Sequence, residues 1–256
     1  MEGRIEMAFE GKVAAVVGGA SGVGAEVAKL IASQGGEVVI LDIQEALARS
    51  VAEEIRGLGG TASVVRVDVT SPDSVKSALD ATLARHDQID VLATTVGWNV
   101  HSFFMDQSED LWEKILQINL MGQVRLVHAF LPTMKANGGG SIVVVSSDAG
   151  RVGTNGETIY AAAKAGVIGF TKSLAREVTR FGIRINCVSP GPTDTPLFRT
   201  ATASQPKIAD AMVKLIPMKR MAKAEEQANV IAFLASNGAS YITGQTLSVN
   251  GGLNML

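Results

Sequence analysis

Short runs of apolar, largely β-branched residues recur along this chain. Each is followed by a longer stretch whose apolar positions fall at helical spacing. The runs Val13–Val17, Glu37–Leu41, Ala62–Arg66, Val91–Thr95, Ser141–Val145, Arg184–Val188 and Gln245–Val249 predict strands. The stretches Gly24–Gln34, Glu45–Leu58, Pro72–His86, Leu111–Lys135, Tyr160–Phe181 and Ala224–Ala235 predict helices. The strand runs are apolar at consecutive positions, as strands covered on both faces must be. One helix between each pair of strands predicts an α/β fold: a single-domain, doubly wound parallel sheet of about seven strands. The rhythm breaks at 192–223, which carry Pro192, Pro196, Pro206 and Pro217. That insertion follows the sixth strand, at the sheet edge where ligands bind, and is a candidate helical substrate lid. Residues 1–8 predict a flexible leader, and 9–256 one domain.

Composition narrows the class. The chain is 46% hydrophobic and 19% charged, which is globular rather than disordered. A net charge of −2 leaves no electrostatic footprint for nucleic acid. A single cysteine, Cys187, excludes an internal disulfide, and its apolar neighbours predict a packed core thiol. His86, His101 and His128 are scattered, so no metal site is expected. No apolar run reaches membrane-spanning length, and a cytoplasmic location is the expectation.

Two constellations carry chemistry. Gly18-Gly19-Ala20-Ser21-Gly22-Val23-Gly24 joins the first strand to the first helix. Glycines there permit a tight turn and close approach of a pyrophosphate, and the helix N-terminus supplies donors and a positive dipole end. Asp42, at the end of the second strand, is placed to accept from both hydroxyls of an adenosine ribose and to repel a 2′-phosphate. No Arg or Lys lies in the glycine turn or just after Asp42, so NAD is favoured over NADP. Two readings of Asp68, followed by Val69, stand side by side: a border of the adenine, or a turn residue before the helix start Thr70-Ser71-Pro72-Asp73.

The second constellation is Tyr160-Ala161-Ala162-Ala163-Lys164, with Ser147 thirteen residues upstream. On a helix, residues four apart share a face. A lysine ammonium beside a phenol favours the phenolate, and a phenol tuned toward neutral pH can exchange a proton with an alcohol or carbonyl. A bare helix-surface pair is the alternative at this spacing.

Together these residues resemble the short-chain dehydrogenase/reductase family over about Gly11 to Gly252. Matching landmarks are Gly18–Gly24, Asp42, Asp68-Val69, Asn119, Ser147, Tyr160-x-x-x-Lys164, Pro190-Gly191 and Thr195. The resemblance implies a Rossmann-type domain, usually tetrameric, with no metal. It implies that Tyr160 is the general acid/base and that Lys164 lowers its pKa and binds the nicotinamide ribose. Ser147 then polarises the substrate oxygen, and Asn119 holds a water behind Lys164. Cofactor contacts are implied for Gly18, Ser21, Gly22, Val23, Gly24, Asp42, Ile43, Asp68, Val69, Gly97, Pro190, Gly191, Thr193 and Thr195. Two departures stand out: Val17 where the family usually has threonine, and Thr94-Thr95-Val96-Gly97 where it usually has Asn-Asn-Ala-Gly. They read as a coupled repacking in which threonine hydroxyls replace lost hydrogen bonds, or as a weakened cofactor site. The second option implies a non-catalytic subunit partnering an active relative.

Within the family, Gly97-Trp98, Ser147–Gly153, Ala175-Arg176-Glu177, Pro190–Thr195 and Ser248–Leu253 are similar to hydroxyacyl-CoA dehydrogenases of aromatic degradation, such as 2-hydroxycyclohexanecarboxyl-CoA dehydrogenase. The resemblance thus implies an NAD-dependent secondary-alcohol dehydrogenase on a β-hydroxyacyl-CoA with a cyclic or aromatic acyl group. Another small alcohol, sugar or steroid is the alternative. Substrate contacts are expected from Trp98, Asn99, Ser147, Arg151, Leu197 and Phe198. Phe103, Phe104, Met105, Met212 and Ile216 either extend that apolar wall or pack the lid. Arg199, Lys207, Lys214, Lys219, Arg220 and Lys223 read as a CoA-phosphate cluster or as solvated surface cations. The expected assembly is a homotetramer, or a heterotetramer with a related chain.

Overall fold

The computed structural model describes residues 7–202 and 206–256; the side chains of 201–210 are left undescribed. In chain order the first half comprises β1 (Val13–Val17), α1 (Gly22–Ser33), β2 (Glu37–Asp42), α2 (Glu45–Gly57), β3 (Thr61–Arg66), α3 (Pro72–Leu83), β4 (Val91–Thr94), α4 (Glu109–Leu116) and α5 (Gly122–Ala136). The second half comprises β5 (Gly140–Val145), α6 (Ala149–Val152), α7 (Thr158–Val178), β6 (Ile183–Pro190), β7 (Thr193–Asp194), α8 (Pro196–Thr202), α9 (Pro206–Leu215), β8 (Ala222–Lys223), α10 (Ala224–Ala235) and β9 (Thr246–Val249).

Seven strands form one parallel sheet in the order β3-β2-β1-β4-β5-β6-β9, and β7 pairs with β8 beside it. Successive residues of β1 feed opposite layers. Ala14 and Val16 pack with α1, α2 and α10, while Val13, Ala15 and Val17 pack with α3, α5 and α7. The unbroken apolar strand pattern is therefore explained by two cores, one on each face. Among the described residues no helix is long and apolar enough to cross a membrane. Of the expected leader, residues 1–6 lie outside the described residues; Ala8 packs on the core and Phe9 is fully buried.

The strand order reverses between β1 and β4, so a crevice opens at their carboxyl ends. Two elements are shaped for it. The expected single helix 111–135 is interrupted by a π-helical turn, Gln117–Met121, between α4 and α5. That extra residue per turn sets Asn119 in the interior. The insertion after β6 folds as α8 and α9, and the start of α8 lies over the glycine turn: a Cβ at Gly22 would sit 3.4 Å from Thr195.

Candidate active site

A cleft of about 1160 Å³ follows the carboxyl ends of β1, β2, β3 and β4. Its floor is the glycine turn. Gly24 must be glycine, because a Cβ there would run into the Gly18 carbonyl oxygen and lie 2.5 Å from Thr95 Oγ1. The chain thus turns tightly enough for the first N–H groups of α1 to face the cleft. Such a cradle, with bare backbone and a helix N-terminus, fits a pyrophosphate.

The departures at Val17 and Thr94–Val96 compensate each other. Thr95 Oγ1 donates to the Val17 carbonyl oxygen at 2.9 Å, and Thr95 N–H donates to the same oxygen at 2.8 Å. The end of β4 therefore pins the start of the glycine turn without a threonine at 17. Thr94 points the other way and donates to Gln123 Oε1 at 2.8 Å.

At the far end of the cleft Asp42 is 8% exposed. Its Oδ2 accepts from Ala20 N–H at 3.0 Å and its Oδ1 from Gln44 N–H at 2.9 Å, which fixes the carboxylate at the mouth of the turn. Ser21, Val23, Ile43, Asp68 and Val69 line the same end. Asp68 is a turn residue that also borders the cleft. Its carboxylate accepts the Thr70 N–H and hydroxyl, bonds that hold it below the usual carboxylate pKa. Ser71 then caps α3, accepting from Ser74 N–H. Among the residues lining the cleft the one cation is Lys114, and it sits over the Trp98 ring, 4.0 Å from the centroid, away from Asp42.

The other end of the cleft closes on Gly97 and Trp98. Directly behind Gly97, a Cβ would stand 3.6 Å from Asn119 Oδ1 and 3.7 Å from Lys164 Nζ. Asn119 clamps the Trp98 backbone: its Oδ1 accepts from Trp98 N–H at 3.1 Å, and its Nδ2 donates to the Trp98 carbonyl at 2.7 Å. Lys164 is buried and donates to the carbonyls of Val145 at 3.0 Å and Val96 at 3.4 Å. Its Nζ lies 5.6 Å from the Tyr160 ring centroid, and the Ser147 hydroxyl is close enough to the Tyr160 phenol to favour its ionised form. The close packing of α6 on α7 depends on Gly150, where a Cβ would meet the Lys164 backbone at 2.7 Å. Ser147, Tyr160, Lys164 and Asn119 thus form one group behind the Gly97–Trp98 wall.

The electrostatics differ from the sequence expectation. Burial, reinforced by the charge of Glu157, pushes the Tyr160 phenol well above its ordinary value, against the opposing effect of the Ser147 hydroxyl. Burial also lowers Lys164 to about 8. The ammonium spends its hydrogen bonds on backbone carbonyls, so in the protein alone it does not pull the phenol down. Glu157, which the sequence reading missed, is held by Asn99 Nδ2 at 2.7 Å, and burial raises its own pKa against the opposing charge of His101. No spacing signal marked it: Glu157 is the non-helical N-cap of α7 and lies outside the helix 160–181 that the sequence predicts.

Several residues expected at the site make their hydrogen bonds within the chain. Pro190 and Gly191 are occupied by the backbone of Asp148 and Val249, and Thr193 is buried between Gly191 and Gln227. None of the three lines the cleft, whereas Thr195, Asn99 and Leu197 do. Phe198 is not among the lining residues. Arg151 is drawn away to Ser248 Oγ at 2.8 Å and the Leu256 carbonyl at 3.3 Å. Phe103, Phe104 and Met105 are exposed, with Phe104 stacked on Trp112, and Ile216 is buried under Gly251. Arg199 pairs with Asp194 and Arg220 with Glu226, so the lid's arginines answer the chain's own carboxylates; the Lys207 side chain lies outside the described residues. Cys187 is a buried free thiol, as its neighbours predicted.

The family described as enoyl-(acyl carrier protein) reductase matches residues 18–254. The chain is 37% identical over 250 residues to the 3-oxoacyl-(acyl-carrier-protein) reductase of Escherichia coli K12, covering 98% of this chain and 100% of that one. It is 38% identical over 248 residues to the corresponding reductase of Thermotoga maritima, covering 96% and 99%. Among solved structures it is similar to gox2181, with TM-score 0.92 and 32% identity over 97% of this chain and 98% of that one. It is also similar to an actinorhodin polyketide ketoreductase variant with NADPH, with TM-score 0.91 and 30% identity over 94% and 97%.

Proposed function

This chain belongs to the short-chain dehydrogenase/reductase family, and we propose that it is an NAD-dependent oxidoreductase interconverting a 3-hydroxyacyl and a 3-oxoacyl thioester. The observation that carries the chemistry is the Ser147–Tyr160–Lys164 group, whose ammonium lies directly behind Gly97 in the cleft wall. The names of the reductases it is similar to support the acyl substrate. A cyclic or aromatic acyl group is the narrower reading, supported by Trp98 at the cleft wall.

The Gly18–Gly24 turn and the first turn of α1 would hold a dinucleotide's pyrophosphate, and Asp42 its adenosine ribose hydroxyls. When bound, the nicotinamide supplies or accepts the hydride. Ser147 polarises the substrate oxygen by hydrogen bonding. Tyr160 gives that oxygen a proton in the reducing direction and takes it in the oxidising direction. A phenol held above its ordinary pKa is protonated at neutral pH, which suits proton donation and hence reduction.

NAD is favoured by a fixed carboxylate at Asp42 and by a cleft whose one lining cation lies at the other end. A second reading, NADP, is favoured by similarity to a ketoreductase with NADPH. Calorimetry decides between them: NAD⁺ binds in the micromolar range and NADP⁺ much more weakly if Asp42 governs, and the reverse order sinks the NAD reading. Tyr160→Phe retains that binding and loses on the order of 10²–10⁴-fold in kcat with a 3-oxoacyl thioester. Unchanged turnover removes Tyr160 from the chemistry.

A further inference from the structure

Gln123 is fully buried, and none of the chemistry above uses it. It stands in the first turn of α5, four residues after Asn119. Its Nε2 donates to the Asn119 carbonyl oxygen at 3.0 Å and to the Val145 carbonyl oxygen at 3.0 Å. Its Oε1 accepts the Thr94 hydroxyl proton at 2.8 Å. Carbonyls only accept, so both amide hydrogens must face them, and the orientation of the carboxamide is thereby fixed. One of those carbonyls, Val145, is also the 3.0 Å acceptor for Lys164 Nζ. The other belongs to the residue whose side chain clamps Trp98. A single amide therefore joins the ends of β4 and β5 to the π-helical turn. It also sits opposite Thr94, one of the positions where this chain departs from its family.

We propose that Gln123 is a positioning residue for Lys164: oriented by Thr94, its carboxamide holds the carbonyls of Val145 and Asn119 and so sets where the ammonium rests. The proposal relies on the reading of Lys164 as the lysine that serves Tyr160. The titratable groups facing Lys164 are Tyr160 on its own helix and the Cys187 thiol on β6. Neither touches Gln123 through any hydrogen bond described, so a change at Gln123 reaches Lys164 through the Val145 carbonyl.

The test follows the Lys164 titration by NMR in lysine-labelled chain, without cofactor or substrate, for wild type, Gln123→Met, Thr94→Val and Thr94→Ser. Removing the amide donor leaves the Val145 oxygen more available to the ammonium and favours its charged form. The midpoint, about 8 in the wild type, should rise in Gln123→Met by on the order of half a pH unit. Thr94→Val should move it the same way by less, and Thr94→Ser should hold it. A midpoint unmoved or lowered in Gln123→Met overturns the proposal. Should that variant fail to fold, the Thr94→Val and Thr94→Ser pair decides by the same criterion. Turnover of acetoacetyl-CoA with NADH supplies the second readout: kcat of Gln123→Met falls roughly tenfold or more while KM for NADH stays within about twofold. Lys164→Ala separates the two levels. Full activity in that variant refutes the reading of the lysine. Lost activity there, with an unmoved midpoint in Gln123→Met, refutes only the positioning role.

Discussion

Glu157 and Tyr160 act on each other across one helical turn, and the direction of that coupling has a kinetic consequence. The Glu157 carboxylate raises the phenol's pKa, so proton removal from an alcohol by phenolate requires more alkaline solution. Glu157→Gln keeps an acceptor for Asn99 and deletes the charge. The phenol's folded-state pKa then falls, phenolate populates at lower pH, and the rising limb of the oxidation rate shifts toward acid. Reduction, which needs the protonated phenol, loses its activity at a correspondingly lower pH. Profiles of kcat against pH in both directions check this; a limb that stays in place would falsify the assigned role of Glu157. The residues proposed for catalysis and cofactor binding were legible because their types and spacing suggest the chemistry: Tyr160 and Lys164 at one helical period, Asp42 at a strand end. Gln123, Glu157 and His101 were not, because their meaning lies in partners distant in sequence: Val145 is 22 residues from Gln123, and Asn99 is 58 from Glu157.

At the scale of elements, the apolar pattern was a reliable guide wherever burial was two-sided, since every β1 position serves one core or the other. It was least informative where an element's shape depends on one hydrogen bond. The π-helical turn at Gln117–Met121 adds its extra residue over too few positions for the apolar pattern to record, and only the inward turn of Asn119 betrays it. The stretch Phe103–Met105 was apolar enough to suggest a pocket wall, yet a stacking partner on α4, Trp112, holds Phe104 at the surface. The junction of β1 and β4 is the element-level feature most open to test. Thr95→Val removes a hydroxyl that donates to the Val17 carbonyl and leaves a half-buried methyl in its place. A loss of about 0.5–1.5 kcal/mol in unfolding free energy follows from the missing bond. Since that bond pins the start of the glycine turn, cofactor affinity should weaken several-fold as well. Thr95→Ser should keep both, measured by denaturant titration and calorimetry. Equal cofactor binding in Thr95→Val would mean the turn holds itself, and the compensation for Val17 lies elsewhere.

Across the whole molecule the two edges of the sheet are unlike. β3 ends in exposed Arg66 with Arg56 bonded across to Ala62, a charged edge that resists pairing. β9 is bordered by exposed apolar side chains: Leu247 is 44% exposed, Phe233 45% and Tyr241 fully so. Exposed apolar side chains of that kind suit a surface that another subunit covers, and we propose them as a contact of the tetramer that the family resemblance implies. The same edge is wired to the candidate active site. Ser248, on β9, donates to Asp148 Oδ1 at 3.1 Å, and Asn250 and Asn254 donate to Asp148 Oδ2. Asp148 follows Ser147 directly, and Ala149 N–H donates to the Ser147 hydroxyl at 3.2 Å. Loss of a partner along β9 would therefore loosen the segment that aims Ser147. Two outcomes are expected together. Sedimentation velocity shows an assembly larger than one chain, and Leu247→Lys, which puts a charge into the covered edge, shifts it toward the monomer. Specific activity then falls with that dissociation, both in Leu247→Lys and on dilution of the wild type, while a monomer of full activity would detach the β9 edge from the chemistry. If the purified chain assembles only when co-expressed with a related chain, the apolar edge belongs to a mixed oligomer, and the dependence of activity on assembly should appear in that complex instead.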